Sequence, residues 1–218
     1  DALPISDEIY PLLTAITNRN LKEQKLPSHF KIGKVVPVLK KGKPATDPNS
    51  HRRITVSSMI GKVAEKEMAV RTKPTLKTMH SKLQFGFTEK CSSSNCALII
   101  TEALAEAKDA GHPLYITMMD ARKAFDVVWH ESTLVQLHHE GITGPLWRTY
   151  VDMYKDVESV ICVNGELSRT ISEGQGIRQG AETSTEIFKI RTNPVMRRSE
   201  EHTSELQSLT NRVWRSER

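Results

Sequence analysis

Leu114-Tyr-Ile-Thr-Met-Met-Asp-Ala-Arg-Lys-Ala-Phe-Asp126 is the stretch on which the reading of this chain turns. Leu114 to Met119 carries no charge and is apolar or β-branched, which predicts a buried strand that delivers Asp120 at its end. A carboxylate in that place is costly to desolvate unless something compensates it, and a divalent cation compensates well. In two-metal phosphoryl transfer such a carboxylate holds the ions that activate an attacking hydroxyl and stabilise a leaving pyrophosphate. The same aspartate could instead cap a following helix, and on spacing alone the cap is the simpler reading.

Upstream, Asn95 can cap a helix over Ala97 to Ala110 that stops at Gly111 and Pro113. Ser57 or Ser58 can cap another through about Arg71, with Met59, Val63 and Met68 among its apolar positions. Lys34 to Leu39 is a short β-branched run that reads as a strand. Ile9 to Glu23 places Ile9, Leu12, Leu13, Ile16 and Leu21 on an amphipathic helical stripe. Downstream, helical stretches follow at about Glu131–Glu140 and Pro145–Lys155. Ser159 to Val163 and Leu167 to Ile171 then flank Asn164-Gly165, a strong two-residue hairpin signal. Helices and strands mixed in this way indicate α+β or α/β.

The composition narrows the class. With 218 residues and 38% hydrophobic content the chain can build a packed core but not a rich one. Cys91, Cys96 and Cys162 are odd in number and lack a C-x-x-C pair, so they support neither a disulfide framework nor a zinc site, and they fit a reducing compartment. No stretch approaches the roughly eighteen consecutive apolar residues of a spanning helix, and no signal-peptide pattern opens the chain, so membrane insertion and secretion are not expected. A net charge of +5 leans toward an anionic partner.

The two ends read differently. Arg198-Ser-Glu-Glu-His-Thr-Ser-Glu-Leu-Gln-Ser208 lacks apolar periodicity and turn chemistry, and it resembles translated sequencing-adapter text; Asp1-Ala-Leu-Pro-Ile5 resembles the opposite adapter. Residues 1–5 and 198–218 are therefore set aside as adapter-like, with a disordered tail expected from 198. Residues 6–197 carry the fold.

D-x-x-K-A-F-D after a strand resembles motif A of reverse transcriptases from non-LTR retrotransposons. The resemblance implies that Asp120 is the first metal-binding aspartate and that the Ala121 backbone carbonyl sits beside a metal. It also puts Phe125 at the bulky steric gate under the nucleotide sugar, although Phe125 also reads as a core aromatic. Asp126 reads as a local structural partner.

Gly174-Gln-Gly-Ile-Arg-Gln-Gly180, followed by Ser184 and Phe188, resembles motif B of the same family, with Thr185 in place of the usual proline. Glycines at this spacing let backbone approach a base pair closely. The resemblance sets Gln179 and Gly180 against the incoming nucleotide, and Gly176 and Arg178 on the template and primer.

Phe30 to Lys43 holds Lys31, Lys34, Lys40, Lys41 and Lys43 with no acidic residue, and Asp47-Pro-Asn-Ser-His-Arg-Arg-Ile54 and the Ser57–Glu65 helix start follow. This resembles the family's fingers segment, with His51 and Arg53 replacing the usual tyrosine and proline. It implies nucleotide contact for Lys40, Lys41 and Arg52 and template or primer contact for Lys43, while Lys31 and Lys34 read as a solvated face. Gln84-Phe-Gly-Phe87 resembles the family's Q-x-G-F segment in a structural role. Taken together, the resemblance implies an α+β partial polymerase right hand, with fingers over about 24–113, an incomplete palm over about 114–197 and no thumb. The Asp-Asp hairpin called motif C is not found.

In complete form such a protein extends a DNA primer on an RNA template with deoxynucleoside triphosphates and two Mg²⁺ ions, in the cytoplasm and nucleus, without a membrane. This chain is expected to be inactive alone. The alternative is a non-catalytic nucleic-acid-binding remnant that uses the lysine patch.

Overall fold

In the computed structural model the described residues are 9–121 and 123–216, with side chains through Glu201, so residues 1–5 lie outside them. Helix α1 spans Ile9–Glu23, as the apolar stripe predicts, and meets two later helices, α2 (Met59–Met79) and α5 (Gly144–Tyr154). Strand β1 (Ile32–Leu39) lies at the centre of the sheet. It pairs antiparallel with β2 (His51–Val56), so that Val36 faces Ile54 and Val38 faces Arg52. On its other side it pairs in parallel with β3 (Glu158–Val163), Gly33 facing Ser159. Strands β4 (Glu166–Leu167) and β5 (Ile171–Ser172) both pair antiparallel with β3.

The Asn164-Gly165 hairpin forms, with φ of 52° and 88° at its two turn residues, which is the left-handed pair that a tight hairpin requires. The expected strand over Leu167–Ile171 is split into β4 and β5. Its interruption at Ser168 is satisfied locally, since the Ser168 hydroxyl accepts from the Ile161 N–H at 2.9 Å.

Helices make the core. Met68 and Leu76 of α2 meet Leu137 of α4 (His130–His139), Tyr150 of α5, and Ile187 and Ile190 of α6 (Ser184–Ser216) in one buried cluster. Ser58 caps α2 by accepting from the Gly61 N–H at 3.4 Å. The helix does not end near Arg71 but continues through Pro74 to Met79. Buried Thr72 and Leu76 hold its later turns in the core, and the Thr72 hydroxyl lies 3.0 Å from the Tyr150 hydroxyl. Helix α3 runs Ser93–Asp109, with Ser92 rather than Asn95 at its cap; Asn95 instead accepts from the Ser92 N–H at 2.7 Å.

The strand expected before Asp120 does not form. Residues 112–121 form no strand, and Tyr115, Met118 and Met119 are 88–89% exposed. A strand needs a neighbour to satisfy its N–H and C=O groups, and none of the described strands pairs with residues 112–121. The apolar pattern alone cannot provide that neighbour. Helix α6 runs on through the adapter-like residues to Ser216, and the Ser81 hydroxyl donates to Glu200. Residues 198–216 are mostly residues a helix accepts, with no glycine or proline among them. No described helix is long and apolar enough to cross a membrane.

Asn193, fully buried on α6, ties three helices together. Its carbonyl accepts from the Ser81 N–H at 2.8 Å, and its amide donates to the Met79 carbonyl at 3.0 Å, closing the C-terminus of α2. Arg197 donates to the same carbonyl and to buried Glu140 of the α4 end, the latter at 3.2 Å. Asn193→Ala leaves the Ser81 N–H without its acceptor, while the Met79 carbonyl keeps Arg197 as a donor, and should lower unfolding free energy by about 2 kcal/mol in urea titration. An unchanged midpoint would show that water replaces the lost bond.

Candidate functional site

The segment Glu173–Gly180, between β5 and α6, runs between the turn at 123–128 and strand β2. Backbone fixes it on both sides. The Gly176 N–H donates to the Val128 carbonyl at 2.7 Å, the Ile177 N–H donates to the Phe125 carbonyl at 2.9 Å, and the Thr55 N–H donates to the Gln179 carbonyl at 3.0 Å. His130 adds a side-chain contact, its Nε2 lying 2.7 Å from the Gly176 carbonyl.

Glycine is required where the chains come closest. Gly176 has φ of 96°, and a Cβ there would lie 3.3 Å from the Asp126 carbonyl oxygen; Gly180 has φ of 106°, and a Cβ there would lie 3.2 Å from the Thr55 carbonyl oxygen.

A small cleft at this junction is lined by Arg53, Asp126, Glu173, Gly176, Arg178 and Gln179, among others. Strand alternation sends Arg53 and Arg52 to opposite faces of β2, and Arg53 reaches the cleft. Its guanidinium lies 3.5 Å from Glu173 and 4.0 Å from Asp126, so Asp126 is a structural partner here. Arg178 points inward, donating to the carbonyls of Phe30 at 3.1 Å, Glu158 at 3.3 Å and also Lys31. Burial lowers its pKa, and the nearby Glu173 and Glu65 carboxylates oppose that shift. Glu65 is buried on α2 and accepts from the Glu182 N–H at 3.2 Å; burial raises its pKa despite that bond and the Arg178 charge.

The expected site residues divide into two groups. Phe125, Gly176, Arg178, Gln179 and Gly180 are gathered at the junction. The Phe125 ring is stacked on Phe188 at 4.9 Å and meets Phe87 edge-on at 6.2 Å, so it packs as a core-edge aromatic whatever else it does. Gln84 donates to Thr192 of α6 at 2.7 Å, which gives the Gln84–Phe87 segment the structural role expected of it.

Asp120 and Ala121 stand apart, exposed in the irregular segment before the turn, and Arg122 lies outside the described residues. Among the described residues no three His, Cys, Asp or Glu side chains gather as a cation cage, so Asp120 would need further oxygen ligands to hold even one ion. Lys40, Lys41 and Lys43 lie in the turn from β1 to β2, where Lys40 Nζ donates to the Asn49 carbonyl at 2.9 Å, and Arg52 is exposed on the outer face. Lys31 is not solvated: it pairs with Asp152 at 2.9 Å and is 10% exposed.

Sequence reading missed Arg53, Glu173 and His130. A substitution at a family proline was the available signal for Arg53, and none existed for His130, whose partner is a backbone carbonyl far away in the chain.

The family model for reverse transcriptase (RNA-dependent DNA polymerase) matches residues 38–211. This chain belongs to the reverse transcriptase family. Among its relatives is a probable RNA-directed DNA polymerase from transposon BS of Drosophila melanogaster, 25% identical over 193 residues, 88% of this chain and 21% of that protein. The corresponding protein from the fly transposon X-element is 30% identical over 131 residues, 59% of this chain and 14% of its own length. A Pol polyprotein from the type-1 retrotransposable element R2 of Nasonia vitripennis is 29% identical over 105 residues, 48% of this chain and 10% of that protein.

The chain is thus a fragment of a non-LTR retrotransposon reverse transcriptase, spanning about a fifth or less of these relatives. The family implies a nucleic-acid template and nucleotide substrates, and its enzymes generally use divalent metal ions.

Glu65 gives the reverse-transcriptase junction a pH dependence. Because its folded pKa lies above the unfolded value of 4.5, its contribution to stability is fully present below that value and is lost as pH rises through the folded pKa. Glu65→Gln keeps the acceptor for the Glu182 N–H and removes the buried charge. The melting temperature of the variant relative to the native chain should therefore rise between pH 4 and pH 7 (about the span over which such a group titrates). A difference that stays flat across that range would place the Glu65 carboxylate in water.

Proposed function

We propose that this segment belongs to a polypeptide that extends a DNA primer on an RNA template, with residues 24–113 as fingers and residues 114–197 as palm. The observation that carries this reading is the joining of the motif A-like turn to the motif B-like loop through Gly176 and Ile177, which puts Asp126, Gly176 and Gln179 around one cleft, with Phe125 and Gly180 next to them in the chain. Gln179 and Gly180 would lie along the incoming deoxynucleotide, Phe125 would close the space beneath its sugar, and Gly176 would let the backbone pass close to the primer–template. Lys40, Lys41 and Arg52 would meet the triphosphate and Lys43 the template backbone, as a polyanion requires. Asp120 and the Ala121 carbonyl would contribute to a Mg²⁺ pair, whose chemistry is to neutralise charge at the attacking hydroxyl and the leaving pyrophosphate. A nucleic-acid-binding segment without catalysis is the second reading, favoured by the exposure of both Asp120 and the lysine turn.

Primer extension on an RNA template with Mg²⁺ and deoxynucleotides separates the two. The 218-residue chain should show no extension, since Asp120 supplies too few oxygens for two ions. It should bind primer–template with an affinity that falls steeply as salt rises. A longer polypeptide from the same element should extend the primer, and Asp120→Asn should abolish that activity. Retained activity of Asp120→Asn would remove Asp120 from the metal site, and an inactive longer protein that still binds would favour the second reading.

Phe125→Ala in the active polypeptide should raise ribonucleotide relative to deoxynucleotide incorporation, because the smaller side chain admits a 2′-hydroxyl. It should also cost about 3 kcal/mol of stability through loss of the Phe188 and Phe87 contacts. Destabilisation with an unchanged sugar preference would leave Phe125 a packing residue.

A further inference from the structure

We infer that Arg178 is a positioning residue, whose guanidinium clasps the carbonyls of Phe30, Lys31 and Glu158 and so presents Gln179 and Gly180 to the nucleotide, and that it does not contact template or primer phosphate. The inference rests on the proposed reading of Gln179 and Gly180 as nucleotide-facing.

Three observations support it. The carbonyls come from the chain entering β1 and from the first residue of β3, where the parallel pairing begins and where the Glu158 N–H already donates to the Lys31 carbonyl at 3.2 Å. One planar guanidinium thus bridges the two strands at the open end of their ladder, a task its forked donors suit and a lysine cannot copy. Gly33 lies directly against this clasp: a Cβ on it would press on the Thr55 methyl at 2.6 Å and touch Cζ and Nε of Arg178 at 3.4 Å.

The backbone of Arg178 acts with its side chain. Its carbonyl accepts from the Ser184 hydroxyl at 2.8 Å and from the Ala181 N–H at 3.2 Å, which joins the loop to the start of α6. The next residue, Gln179, is held to β2 through the Thr55 N–H. Swinging the guanidinium out to a phosphate would break three hydrogen bonds at once. The side chain is therefore committed to the protein.

Salt dependence and nucleotide affinity test this together. Primer–template binding by fluorescence anisotropy gives the slope of log affinity against log salt, to which each phosphate contact on a duplex contributes about 0.9. Arg178→Gln should leave that slope unchanged, whereas Lys43→Gln should reduce it by about one contact. In the presence of primer–template and Mg²⁺, Arg178→Gln should weaken deoxynucleoside triphosphate binding about tenfold, a loss of about 1.4 kcal/mol. Amide exchange at Ala181 and Glu182 should accelerate while circular dichroism stays native. If Arg178→Gln does not fold, Ser184→Ala is the milder variant, expected to weaken nucleotide binding about threefold with the same unchanged slope.

A slope reduced by one contact would overturn the inference in favour of a phosphate ligand. Unchanged nucleotide affinity would overturn it in favour of a purely structural arginine. A native chain that binds neither nucleic acid nor nucleotide would bring down the proposed function and this inference with it. Native binding of both with an insensitive Arg178 brings down the inference alone.

Discussion

Three backbone hydrogen bonds fix the junction on which the rest depends: Gly176 to Val128 and Ile177 to Phe125 join its two loops, and Thr55 to Gln179 ties the second loop to β2. Each joins residues far apart in sequence, so each depends on the helices and sheet that hold these elements in place. Their closeness is possible because Gly176 and Gly180 carry no Cβ where one would press on the Asp126 and Thr55 carbonyls. The charged groups follow from that approach. Arg53 finds Asp126 and Glu173 across the cleft, and Glu65 finds the Glu182 N–H beneath it.

Two supports keep the junction in place. On one side the helical core of α2, α4, α5 and α6 fixes the start of α6, and Asn193 closes the end of α2 by taking up its last carbonyl. On the other, the central strand β1 joins β2 to β3, and the half-buried Lys31–Asp152 pair ties its beginning to α5. Asp152 also accepts from the Leu26 N–H at 2.7 Å, so one carboxylate satisfies both a half-buried ammonium and the backbone after α1. Charges so placed persist because each has a partner.

Elsewhere apolar residues find no such partner. α3 buries none of its residues, leaving Leu98, Ile99 and Leu104 about half exposed, and the segment carrying Asp120 is exposed throughout. Asp120 is therefore open to solvent, although it lies only five residues before Phe125, which is packed.

Local chemistry in the sequence determined much of this. The helix over Ile9–Glu23, the Ser58 cap, the helices following His130 and Gly144, and the Asn164-Gly165 hairpin all depend on contacts within a few residues, and all were legible. Family membership was legible too, because motif order survives where single positions have changed, as at Arg53 and Thr185. Tertiary structure decided what depends on distant partners. It withheld the strand from Leu114–Met119, since an apolar pattern supplies no neighbour to accept its hydrogen bonds. It also turned Lys31 and Arg178 inward, because the direction in which a long cationic side chain points depends on which carboxylates and carbonyls the fold brings within reach.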